Sequence, residues 1–137
     1  MASEAITKND LKAILEDVLI AKLPVDDYVV EHGTDGIWTY RKWNSGFAEC
    51  WGTESAKSYA ITGSWTNGFY AQSTLVYPSG LFVSIPVTTL QKTDAGAGLE
   101  WMSIHTHSAS QVSFYVCDTQ SHTVSFSISA YAIGRWK

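Results

Sequence analysis

The stretch Gly36-Ile-Trp-Thr-Tyr-Arg-Lys-Trp-Asn-Ser-Gly-Phe-Ala-Glu-Cys-Trp-Gly52 decides the fold. Residues 37–43 set Trp38 and Tyr40 against Ile37, Thr39 and Arg41, the two-residue period of a strand. Asn44-Ser45-Gly46 is a turn signal, because glycine enters the positive-φ region without a Cβ clash. Phe47, Glu49 and Trp51 then alternate with Ala48 and Cys50. Two alternating runs around a short turn make a β-hairpin. It holds three of the six tryptophans of the chain, so its faces carry much of the burial.

Similar runs flank the hairpin. Upstream, Tyr28–Glu31 reads as a strand and His32–Gly36 as a turn; downstream, Glu54–Lys57 reads as a polar loop and Ser58–Trp65 as a strand. Thr66-Asn67-Gly68 and Pro78-Ser79-Gly80 are turns around the mixed segment Phe69–Tyr77. Leu81, Val83, Ile85 and Val87 alternate with Phe82, Ser84 and Pro86, which predicts a strand ending at an edge or bulge. A loop is expected over 91–98. Residues 99–107 put Met102 and Ile104 on one face and Trp101, His105 and His107 on the other. Val112, Phe114 and Val116 mark the next strand. The last sets Val124, Phe126, Ile128 and Ala130 inward and Ser125, Ser127 and Ser129 outward. About eight short strands separated by turns make a mainly β chain, an antiparallel β-sandwich.

The first 25 residues differ in kind. Thr7-x-x-Asp10 is a capping-box pattern, and a helix is predicted over Lys8–Lys22, closed by Pro24. Leu11, Ile14, Val18 and Ala21 follow three-four-three spacing, the seam of a coiled coil, with Leu15 and Leu19 beside it. So short a helix is marginal alone and needs a partner surface, either other helices or the chain's own sheet. The organisation is therefore a helical stalk segment at 1–25 and a β-sandwich head at 26–137.

The totals narrow the function. With 137 residues, one core is expected. Charged residues are only 16% and aromatics 13%, so part of the surface is suited to removal from water by assembly. The net charge of −4 and the lack of a Lys/Arg block argue against nucleic acid. No apolar run reaches a membrane span, so membrane insertion is not expected. The polar, acidic N-terminus carries no secretion signal, which points to assembly in the cytoplasm. Cys50 and Cys117 lie in no metal-binding or redox pair and read as buried reduced thiols.

Asp27-Tyr-Val-Val-Glu-His-Gly-Thr34, the hairpin, and the closing Tyr131-Ala-Ile-Gly-Arg-Trp-Lys137 carry a family resemblance over 26–137. This region resembles the C-terminal head, or receptor-binding tip, of tail-fibre and minor structural proteins from phages and prophages of Gram-positive gut bacteria. The resemblance implies a homotrimer at the distal end of a virion fibre. It also implies contact with the host cell surface; a glycan is the expected receptor, and no enzymatic activity is expected. The competing expectation is a trimerisation and folding cap that binds nothing.

For a glycan the candidates are the turn aromatics Trp65, Phe69 and Tyr70 beside Asn67, together with Trp101. Aromatic faces stack on sugar C–H groups, and amide and indole groups supply hydrogen bonds. The metal candidate is His105-Thr-His107. Alternate strand residues share a face, and three copies of the pair around a trimer axis would offer six nitrogens to one ion, as in some phage fibres. One subunit offers only two ligands, so the expectation is no cofactor, with an axial metal as the exception. No Gly-x-Ser-x-Gly elbow is present, which leaves nucleophilic hydrolysis without a motif.

Overall fold

A computed structural model describes residues 5, 7–22, 26–93 and 98–137, with the side chains of 18–22 outside the description. The expected helix break at Pro24 and the seam side chains Val18 and Ala21 fall outside the described residues. The helix α1 spans Lys8–Lys22. Its N-terminus closes as a reciprocal cap: the Asp10 amide donates to Thr7 Oγ1 at 3.1 Å and the Thr7 amide to Asp10 Oδ2 at 3.1 Å. The described seam residues do not pack on the sheets. Leu11 is 51% exposed and Ile14 53%, and Leu15 is equally open. α1 thus presents an apolar stripe to solvent.

Among the described residues nine strands follow: β1 (Val29–Asp35), β2 (Trp38–Trp43), β3 (Phe47–Ile61), β4 (Gly63–Trp65), β5 (Gly68–Val76), β6 (Val87–Thr93), β7 (Trp101–His107), β8 (Gln111–Asp118) and β9 (His122–Arg135). All pairings are antiparallel. One sheet has the order β1-β2-β3-β9-β6 and the other β4-β5-β8-β7. The two pack face to face as a sandwich. Phe114, Val112 and Val116 of β8 share one buried cluster with Phe126 and Ile128 of β9 and with Ile61 and Leu81. Tyr59 stacks on Phe126, with ring centroids 4.6 Å apart.

The hairpin forms as its alternation demands. Trp38 pairs with Gly52, Tyr40 with Cys50 and Lys42 with Ala48. Gly46 takes φ 97°, the left-handed region that its turn requires. This turn is held from both ends of the head. The Ser45 amide donates to Asp27 Oδ1 at 2.9 Å, and the Trp136 amide donates to the Gly46 carbonyl at 2.9 Å. Trp51 pairs with Tyr131 and Phe47 with Arg135. The hairpin and the closing stretch, two of the three that carry the resemblance, are therefore neighbours in space.

Several expectations need correction. His32–Asp35 belongs to β1, and the turn is only Gly36-Ile37, with Gly36 at φ 59°. Glu54–Lys57 is no loop. Glu54 pairs with Ile128 and Lys57 with Phe126, so Ser55 and Ala56 face a single residue of β9 as a β-bulge inside one long strand. Leu81–Val87 is not a strand. The Val83 amide donates to the Arg135 carbonyl, Pro86 has no amide to donate, and β6 begins only at Val87. Leu81 and Phe82 enter the core while Val83, Ile85 and Val87 stay exposed. The outward serines are as expected, and two are tied across the ladder: Ser125 Oγ to Ser58 Oγ at 2.8 Å, and Ser129 Oγ to Thr53 Oγ1 at 3.0 Å. Both cysteines are free and buried, and burial pushes the Cys50 thiol up to about 12, out of reach of thiolate chemistry.

Candidate functional site

The outer face of the four-stranded sheet follows from its register. Tyr70 pairs with Cys117, and Cys117 with Trp101; Gln72 pairs with Tyr115, and Tyr115 with Ser103. Directly paired residues share a face, so Tyr70, Tyr115, Cys117, Trp101 and Ser103 all point away from the core. Trp65 joins them from β4, opposite Gly68. Together with Ser64 these residues line a cleft of about 480 Å³. Trp65 and Trp101 are 48% and 42% exposed. The Tyr70 ring meets Tyr115 edge-on, with centroids 5.0 Å apart, and His105 lies over Tyr115 at 4.5 Å.

Two glycines seat the rings. A Cβ on Gly63 would stand 2.8 Å from the Tyr70 ring, and one on Gly68 would stand 3.0 Å from Trp65 Nε1. Neither ring could lie where it does over a larger residue. Both glycines belong to the β4–β5 hairpin, so the hairpin that presents Trp65 also fixes its pose.

Of the aromatic residues singled out in the sequence, Trp65, Tyr70 and Trp101 converge here. Asn67 is exposed in the β4–β5 turn and does not line the cleft. Phe69 pairs with Asp118 and packs on the core, because residue i+1 of a strand faces the other side from Tyr70. Tyr115 was not anticipated. Its signal was the second face of the strand in which Val112, Phe114 and Val116 mark the first. A larger cleft of about 750 Å³ opens at one end of the sandwich, beside Trp38 and Pro78. Its indole is buried and donates to the Val76 carbonyl at 2.7 Å, so that opening offers little aromatic surface.

The histidine pair does not form as expected. Ile104 pairs with Phe114 and Thr106 with Ser113, which makes His105 the extra residue of a β-bulge. The bulge shifts the alternation, so His105 faces out onto Tyr115 while His107 faces in. His107 Nε2 lies 2.7 Å from the Tyr77 hydroxyl and 3.1 Å from Thr88 Oγ1. Burial pushes Tyr77 up to about 12 and lowers His107, so a protonated hydroxyl, Thr88 Oγ1 and an imidazole biased to its neutral form share one hydrogen-bonded cluster. The two imidazoles of one chain do not share a face, and the geometry assumed for a His-x-His ion site is absent.

A second polar cluster joins both sheets. Lys92 Nζ lies 2.5 Å from Glu100 Oε2, and His122 Nε2 lies 2.6 Å from Asp118 Oδ2 and 3.8 Å from Glu100 Oε1. Glu100, Asp118 and His122 are close enough to hold a cation, but Lys92 already supplies the positive charge. The cluster reads as an ion-pair clamp across β6, β8 and β9.

These groups give the head an acid-sensitive stability. Burial lowers the pKa of His107 from 6.5; the Lys92 hydrogen bond lowers Glu100 from 4.5, and the His122 hydrogen bond lowers Asp118 from 3.8. All three folded values are depressed, so the unfolded chain takes up protons first. His107's contribution is complete above pH 6.5 and drains below it; the carboxylates follow below about pH 4. Thermal melts from pH 8 to pH 3 should show both stages, and His107→Gln should remove the upper one. A melting temperature that stays flat between pH 7 and pH 5 would contradict this assignment.

On the outer face of the five-stranded sheet, Arg41 pairs with Glu49, and its guanidinium lies 5.3 Å from the Trp43 ring and 5.1 Å from Trp51. Tyr131 donates to Glu49 at 2.5 Å. These tryptophans support the sheet through cation–π contacts.

No protein-family model and no curated protein sequence matches the chain. Solved structures do. An N-truncated R1-type pyocin tail fibre aligns over 96% of this chain and 99% of its own, with TM-score 0.59 at 14% identity. The fold is similar to that of pyocin tail fibres. A C-terminal segment of the P. aeruginosa R1 pyocin fibre aligns over 95% of this chain and 32% of its own, with TM-score 0.56 at 14% identity. An N-truncated R2-type pyocin tail fibre aligns over 96% and 44%, with TM-score 0.53 at 12% identity. At such identities the likeness concerns the fold. Among the described residues no helix is long and apolar enough to cross a membrane.

Proposed function

We propose that this chain is the homotrimeric head of a phage-type tail fibre that binds a glycan on the host cell surface. The observation that carries the reading is the convergence of Trp65, Tyr70 and Trp101 in one exposed cleft on a tail-fibre-like fold. The cleft is open to solvent, its rings are held by glycines, and the protein puts its exposed indoles on this face rather than in the core. Binding without chemistry suits such a lining, which among the described residues contains hydroxyls and rings but no carboxylate pair. Three heads on one fibre would engage together, so each needs only weak affinity.

Two apolar surfaces support self-association. The α1 stripe of Leu11, Ile14 and Leu15 is open, and Val87 on edge strand β6 pairs with exposed Ile133. The same surfaces favour the second reading, a structural trimerisation cap that recognises nothing. Light scattering should return three times the chain mass of 15.1 kDa. A glycan array should show binding that Trp65→Ala and Trp101→Ala each remove. A stable trimer with no array binding would favour the cap.

A further inference from the structure

The lining of the cleft points to a narrower ligand class, and this step rests on the receptor-binding reading above. We propose that the cleft takes an uncharged pyranose, stacked on the Trp65 and Trp101 indoles, and rejects acidic and amino sugars. Among the described residues no ionised side chain lines it. The lining is Ser64, Trp65, Tyr70, Trp101, Ser103, Tyr115 and Cys117.

The two nearest acids in sequence are turned away. Glu100 precedes Trp101, but its carboxylate is buried and held by Lys92 at 2.5 Å. Asp118 follows Cys117, but its carboxylate bonds His122 at 2.6 Å and the Thr119 amide at 2.5 Å. Neither can neutralise an ammonium in the cleft. Among the described residues no Arg or Lys lines it to meet a carboxylate or a phosphate. An anion entering between two indoles would lose water without gaining a countercharge.

The aromatic arrangement also disfavours an ammonium cage. Such a cage needs several open ring faces converging on one point. Tyr115 has one face under His105 and meets the edge of Tyr70, so the tyrosines form a floor. The more exposed rings of the lining are the two indoles, Trp65 at 48% and Trp101 at 42%. Hydroxyls of Ser64 and Ser103 both donate and accept, which matches sugar hydroxyls and gives no charge preference. The site is set in advance by Gly63 and Gly68, which limits the ordering cost of a weak ligand. At about 480 Å³ it lies in the range of small-molecule sites, roughly 300–1,000 Å³.

The test is saturation-transfer NMR and calorimetry on the full chain. The probes are neutral disaccharides (lactose, maltose, N,N′-diacetylchitobiose), an oligogalacturonate, a chitosan oligomer and choline. A neutral disaccharide should bind at millimolar strength, change little between low and high salt, and weaken at least ten-fold in Trp101→Ala. Ser103→Glu, an exposed position that should fold normally, should weaken it similarly. Trp101-dependent binding of the oligogalacturonate, the chitosan oligomer or choline, with no neutral ligand bound, would overturn the proposed class; for the two saccharides it would leave glycan recognition standing. If no probe and no array glycan binds in the cleft, the class and the receptor reading both fall.

Discussion

Replacing Trp101 with alanine is expected to abolish attachment of the assembled head to host cells while leaving the fold in place. The indole is half-exposed on edge strand β7, so its loss should disturb the core little. Removing one of the two exposed indoles should cost each head roughly ten-fold, which is about 1.4 kcal/mol. In a trimer the loss compounds. Avidity of linked sites can exceed single-site affinity by about 10²–10⁴, and most of that margin disappears when every site weakens together. Trp65→Ala should act in the same direction, whereas Gly68→Ala should disturb both the β5–β8 pairing and the Trp65 ring, since its Cβ would stand 2.7 Å from the Asp118 carbonyl and 3.0 Å from Trp65 Nε1. Cell-binding assays with the labelled head, run beside circular dichroism, check this. Full attachment by a folded Trp65→Ala/Trp101→Ala double variant would contradict it.

The second large effect lies in the core. Phe126 of β9 is fully buried, stacks on Tyr59 and has the Lys92 ammonium 5.2 Å from its ring. Phe126→Ala removes a ring from the centre of the sandwich and leaves a cavity between two sheets that cannot close over it. The expected loss is about 3–5 kcal/mol, a large part of the roughly 5–15 kcal/mol that holds a domain together. Chemical denaturation should show a much lower midpoint with an unchanged slope. A shift below about 1 kcal/mol would mean that the two sheets are not packed through this strand.

The fold was legible where its signals are local. The hairpin over Gly36–Gly52 rests on alternation and one turn, both contained in the sequence itself. The same holds for α1, whose Thr7 and Asp10 cap each other three residues apart. The final strand was legible over 124–130 because Phe126 and Ile128 alternate with serines, but Gly134 does not break it: the pairing with β3 runs on to Arg135. What failed depended on partners far away in the chain. Ser55 and Ala56 look like a loop until β9 is known to run beside them. The alternation from Leu81 to Val87 is real, yet the Arg135 carbonyl takes the Val83 amide and no ladder forms there. At His105 a single extra residue reverses the faces, so a correct strand assignment still gave a wrong histidine pair.

The candidate cleft was half legible for the same reason. Trp65, Tyr70 and Trp101 stand out by chemistry, since indoles near turns and edges are costly to leave in water without a use. Phe69 stood out equally but points into the core, and only the pairing with Asp118 reveals it. Tyr115 needed the register of β8 between β5 and β7 before its place on the floor was visible.

The most direct measurement is hydrogen–deuterium exchange of the assembled head with and without isolated host cell-surface polysaccharide. Slowed exchange should concentrate in β4, the β4–β5 turn and β7, around Trp65 and Trp101. Protection confined to the Arg41–Trp51 face of the other sheet, with the Trp65 and Trp101 segments unchanged, would contradict the cleft as the receptor site.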